Sequence, residues 1–291
     1  MRKLIAILIV MFCLAWVSGC SKKEAPPSAK AARVSATRAF EKYFGPAPTT
    51  DKGTCYAFVI FFPSAKEPGK VVPFPFFSFD QPSLKMVALE RLMSGNEEKI
   101  YKGEFQRPFP KGTRLLALSE RSGVVTTDFN GELRGVAANP QAAAALFNAV
   151  TLTELQFPGV KAVRIQSEGI DLFPKQDEPE EAAVVLLPSA PRLIKVIAVK
   201  EKANAPVTEV DALFDRPVDI KQCRFSTADG RPLTGDVFQS MFDMAAVLKP
   251  KEPARLVAGK AIRVRWNVTD KTGKTAQGDD TVPLEVTVHQ D

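Results

Sequence analysis

The sequence predicts two folded domains in series, an α+β domain with helices on a largely antiparallel sheet and, after it, an all-β sandwich. Three observations carry that expectation. Between residues 54 and 173 the hydrophobic period alternates between two and 3.6 residues, in the order β-β-α-β-β-α-β. Beyond residue 190 helical periodicity is scarce, and short alternating runs are divided by Asp-Gly and Thr-Gly turns. The chain has 291 residues, 45% hydrophobic and 25% charged, which is enough apolar material for two cores.

The chain opens with Arg2 and Lys3, an apolar run from Leu4 to Val17, and the small pair Ser18-Gly19 ahead of Cys20. That order of features reads as a secretory signal, and the run falls short of the ~20 residues a membrane span needs. Val17-Ser18-Gly19-Cys20 resembles the lipobox of bacterial lipoproteins. The resemblance implies cleavage before Cys20, diacylglycerol on its sulfur and a further acyl chain on the new amino group, and two or more chains anchor stably. Residues 1–19 are then a signal peptide, and the protein is expected outside the cytoplasm, lipid-anchored to a membrane through Cys20. In a two-membrane host, Ser21 resembles the outer-membrane case, with the protein facing the periplasm.

Residues 20–53 are rich in Ala, Pro, Lys and Ser and read as a tether, with a short helix around residues 32–44. Seven basic against three acidic residues lie in this stretch, which accounts for most of the net charge of +6. No nucleic-acid partner is expected, because that footprint gathers Lys and Arg on a folded domain. The excess serves either anionic lipid headgroups or solubility.

Within residues 54–173, Tyr56–Phe62 reads as a strand and Val71–Phe79 as a second, extended one. Pro73 and Pro75 cannot donate to a ladder, so the second strand belongs at a sheet edge. It carries Phe74, Phe76, Phe77 and Phe79, more aromatics than one strand face buries, because successive side chains diverge. These four are the candidate partner-binding residues, for another envelope protein; a bulge or the following helix covering them is the alternative. Leu84, Val87, Ala88 and Leu92 recur at helical spacing before Gly95. Thr113–Glu120 and Val124–Asn130 form a hairpin about Ser122-Gly123, with Leu116 and Leu118 on its inner face. Asn139-Pro140 opens a second helix that Pro158-Gly159 stops, and Lys161–Ser167 is the last strand. Residues 174–190 are acidic and Pro-bearing, an extended linker in which Ala182–Leu187 is apolar enough to dock on a neighbour. Residues 191–291 form the sandwich, with Ile262, Val264, Trp266 and Val268 inward and Arg263, Arg265 and Asn267 outward.

The chemistry available is narrow. Histidine occurs once, at His289, so His-based triads and metal sites have little to stand on. Carboxylate pairs remain, with Glu90, Glu104, Asp128 and Glu154 as candidates for a weak hydrolase reading; without a phosphate loop or a nucleophile elbow, solvated surface charge explains them better. Asp270, Asp279 and Asp280 lack the spacing of a calcium loop and read as turn residues. Cys55 and Cys223 are either singly buried or joined as an interdomain disulfide. No catalytic residue, metal or cofactor is assigned, and the protein is not expected to be an enzyme.

Two further resemblances bear on function. Phe109-Pro-Lys-Gly-Thr113, Gly123–Phe129, Asn148–Phe157 and Pro158-Gly-Val-Lys-Ala-Val163 resemble, in that order, the GerMN family of sporulation and germination type, over residues 54–173. The resemblance implies a non-catalytic envelope domain. Phe214-Asp-Arg-Pro-Val218, the Ala228–Leu233 turn and Val268–Gly273 resemble bacterial Ig-like domains, implying a spacer or adhesive module. The expectation is a membrane-anchored scaffold for envelope proteins; the alternative is a binder of peptidoglycan or another wall polymer.

Overall fold

The computed structural model describes residues 32–50, 54–96, 101–174 and 176–288. Signal, Cys20 and His289 lie outside them.

The N-terminal lobe begins earlier than composition suggested. After β1 (Ala32–Arg33) and β2 (Ser35–Ala36) comes helix α1 (Arg38–Phe44), then β3 (Thr49–Thr50), which pairs with β1. The Thr37 hydroxyl caps α1 by accepting from Phe40 N at 3.1 Å. Phe40, Tyr43 and Phe44, at helical spacing, are buried in the main core. The tether assigned to residues 20–53 is therefore folded structure from Ala32 to Thr50: three aromatics on one helix face dock it.

β4 (Tyr56–Pro63) and β5 (Val71–Ser78) pair antiparallel, with β2 parallel on the far side of β4. Next come α2 (Leu84–Ser94), the hairpin β6 (Leu115–Arg121) and β7 (Val124–Phe129), α3 (Pro140–Leu155), β8 (Ala162–Ser167) and β9 (Ile170–Asp171). Ser122 and Gly123 have φ of 54° and 83°, the left-handed pair a two-residue hairpin turn needs. Asn139 caps α3, its Oδ1 accepting from Gln141 N and Ala142 N. Within residues 54–173 the order β-β-α-β-β-α-β holds, with the short β9 added at its end. The single, largely antiparallel sheet does not: β2-β4-β5 and β6-β7-β8-β9 are separate sheets, and β7 and β8 are parallel because α3 carries the chain back across. A register shift between Leu115 and Ala117 also turns Leu116 out, 54% exposed.

β2 covers only the start of β4. Beyond it, residues at the end of α3 replace a neighbouring strand: the Gln156 side chain accepts from Val59 N at 2.7 Å and donates to Val59 O at 2.6 Å, and Thr153 Oγ1 accepts from Phe61 N at 3.2 Å. With its backbone satisfied on that edge, Ala57–Phe62 is buried on both faces.

The segment between the lobes is a strap. Glu181, in the short helix α4 (Glu181–Val184), bonds Tyr43 Oη and pairs with Lys42 at 2.8 Å. Val185 bridges Val71, and Leu186 N donates to Val71 O at 2.8 Å. The extended, solvated linker is thus pinned to β5 and α1 over Glu181–Leu186, because its apolar stretch has a strand edge to cover.

The C-terminal lobe is all-β. β10 (Leu193–Lys200), β11 (Val207–Phe214), β13 (Gly235–Gln239), β14 (Ala245–Pro250) and β17 (Glu285–Val288) form one sheet, and β12 (Val218–Thr227), β15 (Ala261–Asp270) and β16 (Thr275–Pro283) the other. Val196, Val210, Phe214, Phe225, Val264 and Trp266 are among the residues that share the core between them. Cys55 is buried in the first core and Cys223 fringes the second; both are free thiols.

Asp211 faces away from that core, opposite Ile197 on one neighbouring strand and Val247 on the other. One carboxyl oxygen has no hydrogen-bond partner among the described residues. Burial first, and the Glu209 charge second, push its pKa up to about 6. A raised folded-state pKa means that stability present below the ~4 of an unfolded aspartate is lost as pH rises through the folded value. Asp211→Asn is expected to gain about 1–2 kcal/mol near pH 7.5, after discounting for solvent screening. The gain should vanish below about pH 4; denaturant melts of both proteins across that range measure it.

Candidate functional site

Three of the four phenylalanines, Phe74, Phe77 and Phe79, border the junction of the two lobes, and Phe76 packs within the first. Phe74 packs on Phe62 and Tyr101, with ring centroids at 6.0 and 5.6 Å, and Phe76 on Phe58 at 5.3 Å, with the Arg91 guanidinium over its other face. Phe77 points to the opposite side, as strand alternation requires. There it meets Phe40 edge-on at 5.5 Å and stacks on Phe242 of the C-terminal lobe at 4.5 Å and 7°. Phe79 is 56% exposed, with its centroid 5.9 Å from Phe242. Three of the four therefore spend their faces inside the chain, and Phe79 is the member left open to solvent.

Phe242 reaches Phe77 from a strained turn. It and Asp243 have φ of 64° and 57°, left-handed conformations that a bulky side chain rarely adopts. Asp243 in turn pairs with Lys271 at 2.8 Å, and the Lys271 carbonyl lies against Gly45, just after α1.

A charged cluster makes the second contact. Arg192 forks Glu104 of the N-terminal lobe, Nη1 to Oε1 at 2.9 Å and Nη2 to Oε2 at 3.1 Å, and lies over the Tyr101 ring at 4.6 Å. Arg216 forks Asp215 through two 3.0 Å bonds, donates to the Ser189 carbonyl of the strap at 2.7 Å and lies 3.6 Å from Asp270. Asp215, Arg216 and Asp270 are all buried. Lys274 Nζ donates to the Pro188 carbonyl at 2.7 Å. Around this cluster is a 390 Å³ cavity lined by Phe74, Tyr101, Glu104, Arg192 and Asp215, among others. Sequence reasoning missed the cluster; its one local signal was Asp215-Arg216 inside an apolar run.

In this cavity the Arg192 hydrogen bonds hold Glu104 below its ordinary pKa. Of the other sequence candidates, Asp128 accepts from Gly169 N at 3.1 Å, and Glu90 lines a different cleft beside Phe109–Leu115. Glu154 is fully buried in α3, with neither carboxyl oxygen hydrogen-bonded among the described residues. Burial raises it well above the carboxylate range, against the lowering by Lys85. The calcium-like aspartates also separate: Asp270 accepts from Thr272 and Lys274, Asp279 pairs with Arg263 and Arg265, and Asp280 accepts from Trp266 Nε1. Among the described residues no group of three His, Cys, Asp or Glu side chains is placed to hold a metal, and no helix is long and apolar enough to cross a membrane.

Residues 59–173 match the Germane family, described as sporulation and spore germination. Among solved structures, the first GerMN domain of the sporulation protein GerM from Bacillus subtilis is similar at 20% identity and a TM-score of 0.34, covering 42% of this chain and 92% of that one. A putative lipoprotein from Clostridium perfringens is similar at 17% identity and a TM-score of 0.28, covering 39% and 75%. PcoC, a methionine-rich copper resistance protein from Escherichia coli, is similar at 18% identity and a TM-score of 0.25, covering 33% and 100%. No curated protein matches the chain. The Germane segment runs from within β4 to just past β9, so α1 and the strap lie outside it.

Proposed function

We propose that this protein is a non-enzymatic accessory protein of the bacterial envelope, lipid-anchored through Cys20, whose two lobes act as one interaction module. The observation that carries the reading is the Germane match over residues 59–173, a sporulation and germination domain, behind a lipobox-like leader. The junction chemistry supports it, since its carboxylates are neutralised in forks instead of presented to a substrate. The C-terminal lobe is read as an Ig-like sandwich that fixes the reach of the first. Phe79, exposed beside the junction, is the candidate contact to an envelope protein.

Cys20→Ser is expected to abolish acylation and release or misprocess the protein. Membrane fractionation after a high-salt wash, with mass spectrometry of the N-terminal peptide, reads both effects. Retention without lipid would overturn the anchor. Pull-down from detergent-solubilised membranes, with Phe79→Ser as the comparison, then tests for the protein partner.

A further inference from the structure

The outer face of the β12-β15-β16 sheet carries a surface that the lobe's packing does not use. Alternate residues of β15, Ile262, Val264, Trp266 and Val268, enter the core. The residues between them present Arg263, Arg265 and Asn267 outward, opposite Ser226, Arg224 and Gln222 on β12 and Thr281, Asp279 and Gln277 on β16. This face holds guanidinium, amide and hydroxyl groups and no aromatic ring. Arg265 is 57% and Arg263 40% exposed in the side chain, and Arg224 is exposed.

Its charge is unbalanced. Arg224 and Arg265 stand directly opposite one another, a like-charge pairing that costs stability in a sheet. Asp279 is the single carboxylate among them and serves two arginines: Arg263 at 2.6 and 2.8 Å, Arg265 at 3.1 and 3.0 Å. Those bonds, Arg263's first, draw its pKa down to about 2. The Arg224 fork faces the Gln222 side-chain amide, a neutral partner. At the Thr227 and Ala261 end of the strands, a 490 Å³ cleft adds Lys260 and two paired arginines, Arg231 on Asp229 at 2.9 Å and Arg255 on Glu252 at 3.0 Å.

We propose that this face binds an acidic glycan, an extended polysaccharide bearing carboxylates. Guanidinium forks match carboxylates bidentately. A flat face repeats its donors at ~4.8 Å across strands and ~6.8 Å along them, which suits a chain of repeated anions better than a single small one. The rows of Thr, Asn and Gln supply partners for sugar hydroxyls. A bilayer is the poorer occupant because nothing apolar on the face would insert, and a phosphate polymer because it lacks the run of hydroxyls that the Thr, Asn and Gln side chains would bond. The proposal deepens the interaction-module reading and rests on it only for the compartment in which the glycan is met.

The test is affinity electrophoresis of the detergent-solubilised full chain through gels containing polygalacturonate, dextran or polyphosphate, with flotation on phosphatidylglycerol vesicles alongside. The expected result is retardation by polygalacturonate and none by dextran. The Arg224→Gln/Arg265→Gln variant should weaken it at least about tenfold with an unchanged melting temperature, and Arg224→Glu alone should do the same if the double variant melts early. No retardation by polygalacturonate overturns the proposal, as does retardation that both variants retain, or variant-sensitive binding to polyphosphate or vesicles that equals or exceeds glycan binding. Because the gel assay uses detergent-solubilised chain, it reads the face whether or not Cys20 is acylated, so a failed anchor and a failed glycan surface remain distinguishable.

Discussion

Replacing Arg216 with Ala is expected to lower stability by about 3–5 kcal/mol, the range for removing one partner of a buried ion pair. The side chain is 6% exposed and its partners Asp215 and Asp270 are 3% and 2% exposed, so truncation leaves two buried carboxylates without this guanidinium, Asp215 keeping the Arg192 N–H and Asp270 its Thr272 and Lys274 bonds. It also frees the Ser189 carbonyl, one of two adjacent points, with the Pro188 carbonyl on Lys274, where the strap is tied to the C-terminal lobe. Arg216→Lys keeps a charge but loses the planar fork to Asp215, and an intermediate loss of about 1–2 kcal/mol is expected. Urea denaturation of the three proteins checks the order; a loss below about 1 kcal/mol for the Ala variant would show that Asp215 and Asp270 find water or other partners.

Gly45→Ala carries the second largest expected effect, and it acts between the lobes. Gly45 ends α1 at φ 78° and ψ −164°, a region open almost only to glycine, with an expected backbone cost of about 1–3 kcal/mol for any other residue. A Cβ there would also stand 2.6 Å from the Lys271 carbonyl oxygen, in the turn between β15 and β16. That oxygen belongs to the backbone, and Lys271 is held by Asp219 and Asp243, so the neighbour gives way only by moving the turn. Gly103→Ala is the control: φ is 77° there, with open space around the added methyl. Thermal melts should show a clearly larger loss at Gly45 than at Gly103. Equal losses would mean that backbone strain alone is at work and that the lobes are not pressed together at this point.

The parts of the fold legible in the sequence were those written in local chemistry. Asn139-Pro140, Ser122-Gly123 and Gly95 placed helix starts, turns and stops because capping and left-handed φ act within a few residues. The alternation Ile262, Val264, Trp266, Val268 placed β15 and its outward arginines for the same reason. Elements defined by distant partners were lost. α1 read as a short helix around residues 32–44 but within a tether, because its surroundings are Ala- and Pro-rich; what was lost is the docking of Phe40, Tyr43 and Phe44 in the core. β12 hid behind a bulge between Ile220 and Gln222 that breaks its period. β14 lay in a stretch whose Met and Ala content suits a helix, and became a strand by pairing with β11 and β13. Of the candidate site, the aromatics of β5 stood out in sequence, whereas their contact with Phe242 and the Arg192–Glu104 fork join residues far apart in the chain.

The central claim is that the strap, the Phe77–Phe242 stack and the arginine forks make the two lobes unfold as one. The chain labels its lobes for this purpose: its three tyrosines, Tyr43, Tyr56 and Tyr101, lie in the N-terminal lobe, and Trp266 lies in the core of the other. In the chain cleaved before Cys20, whose one tryptophan is Trp266, urea unfolding followed at once by Trp266 fluorescence and by tyrosine near-ultraviolet circular dichroism is the direct measurement. Superimposed transitions with one midpoint are the predicted result. Two separated transitions, the tyrosine signal and the Trp266 signal each with its own midpoint, would contradict it and return the molecule to two domains on a linker.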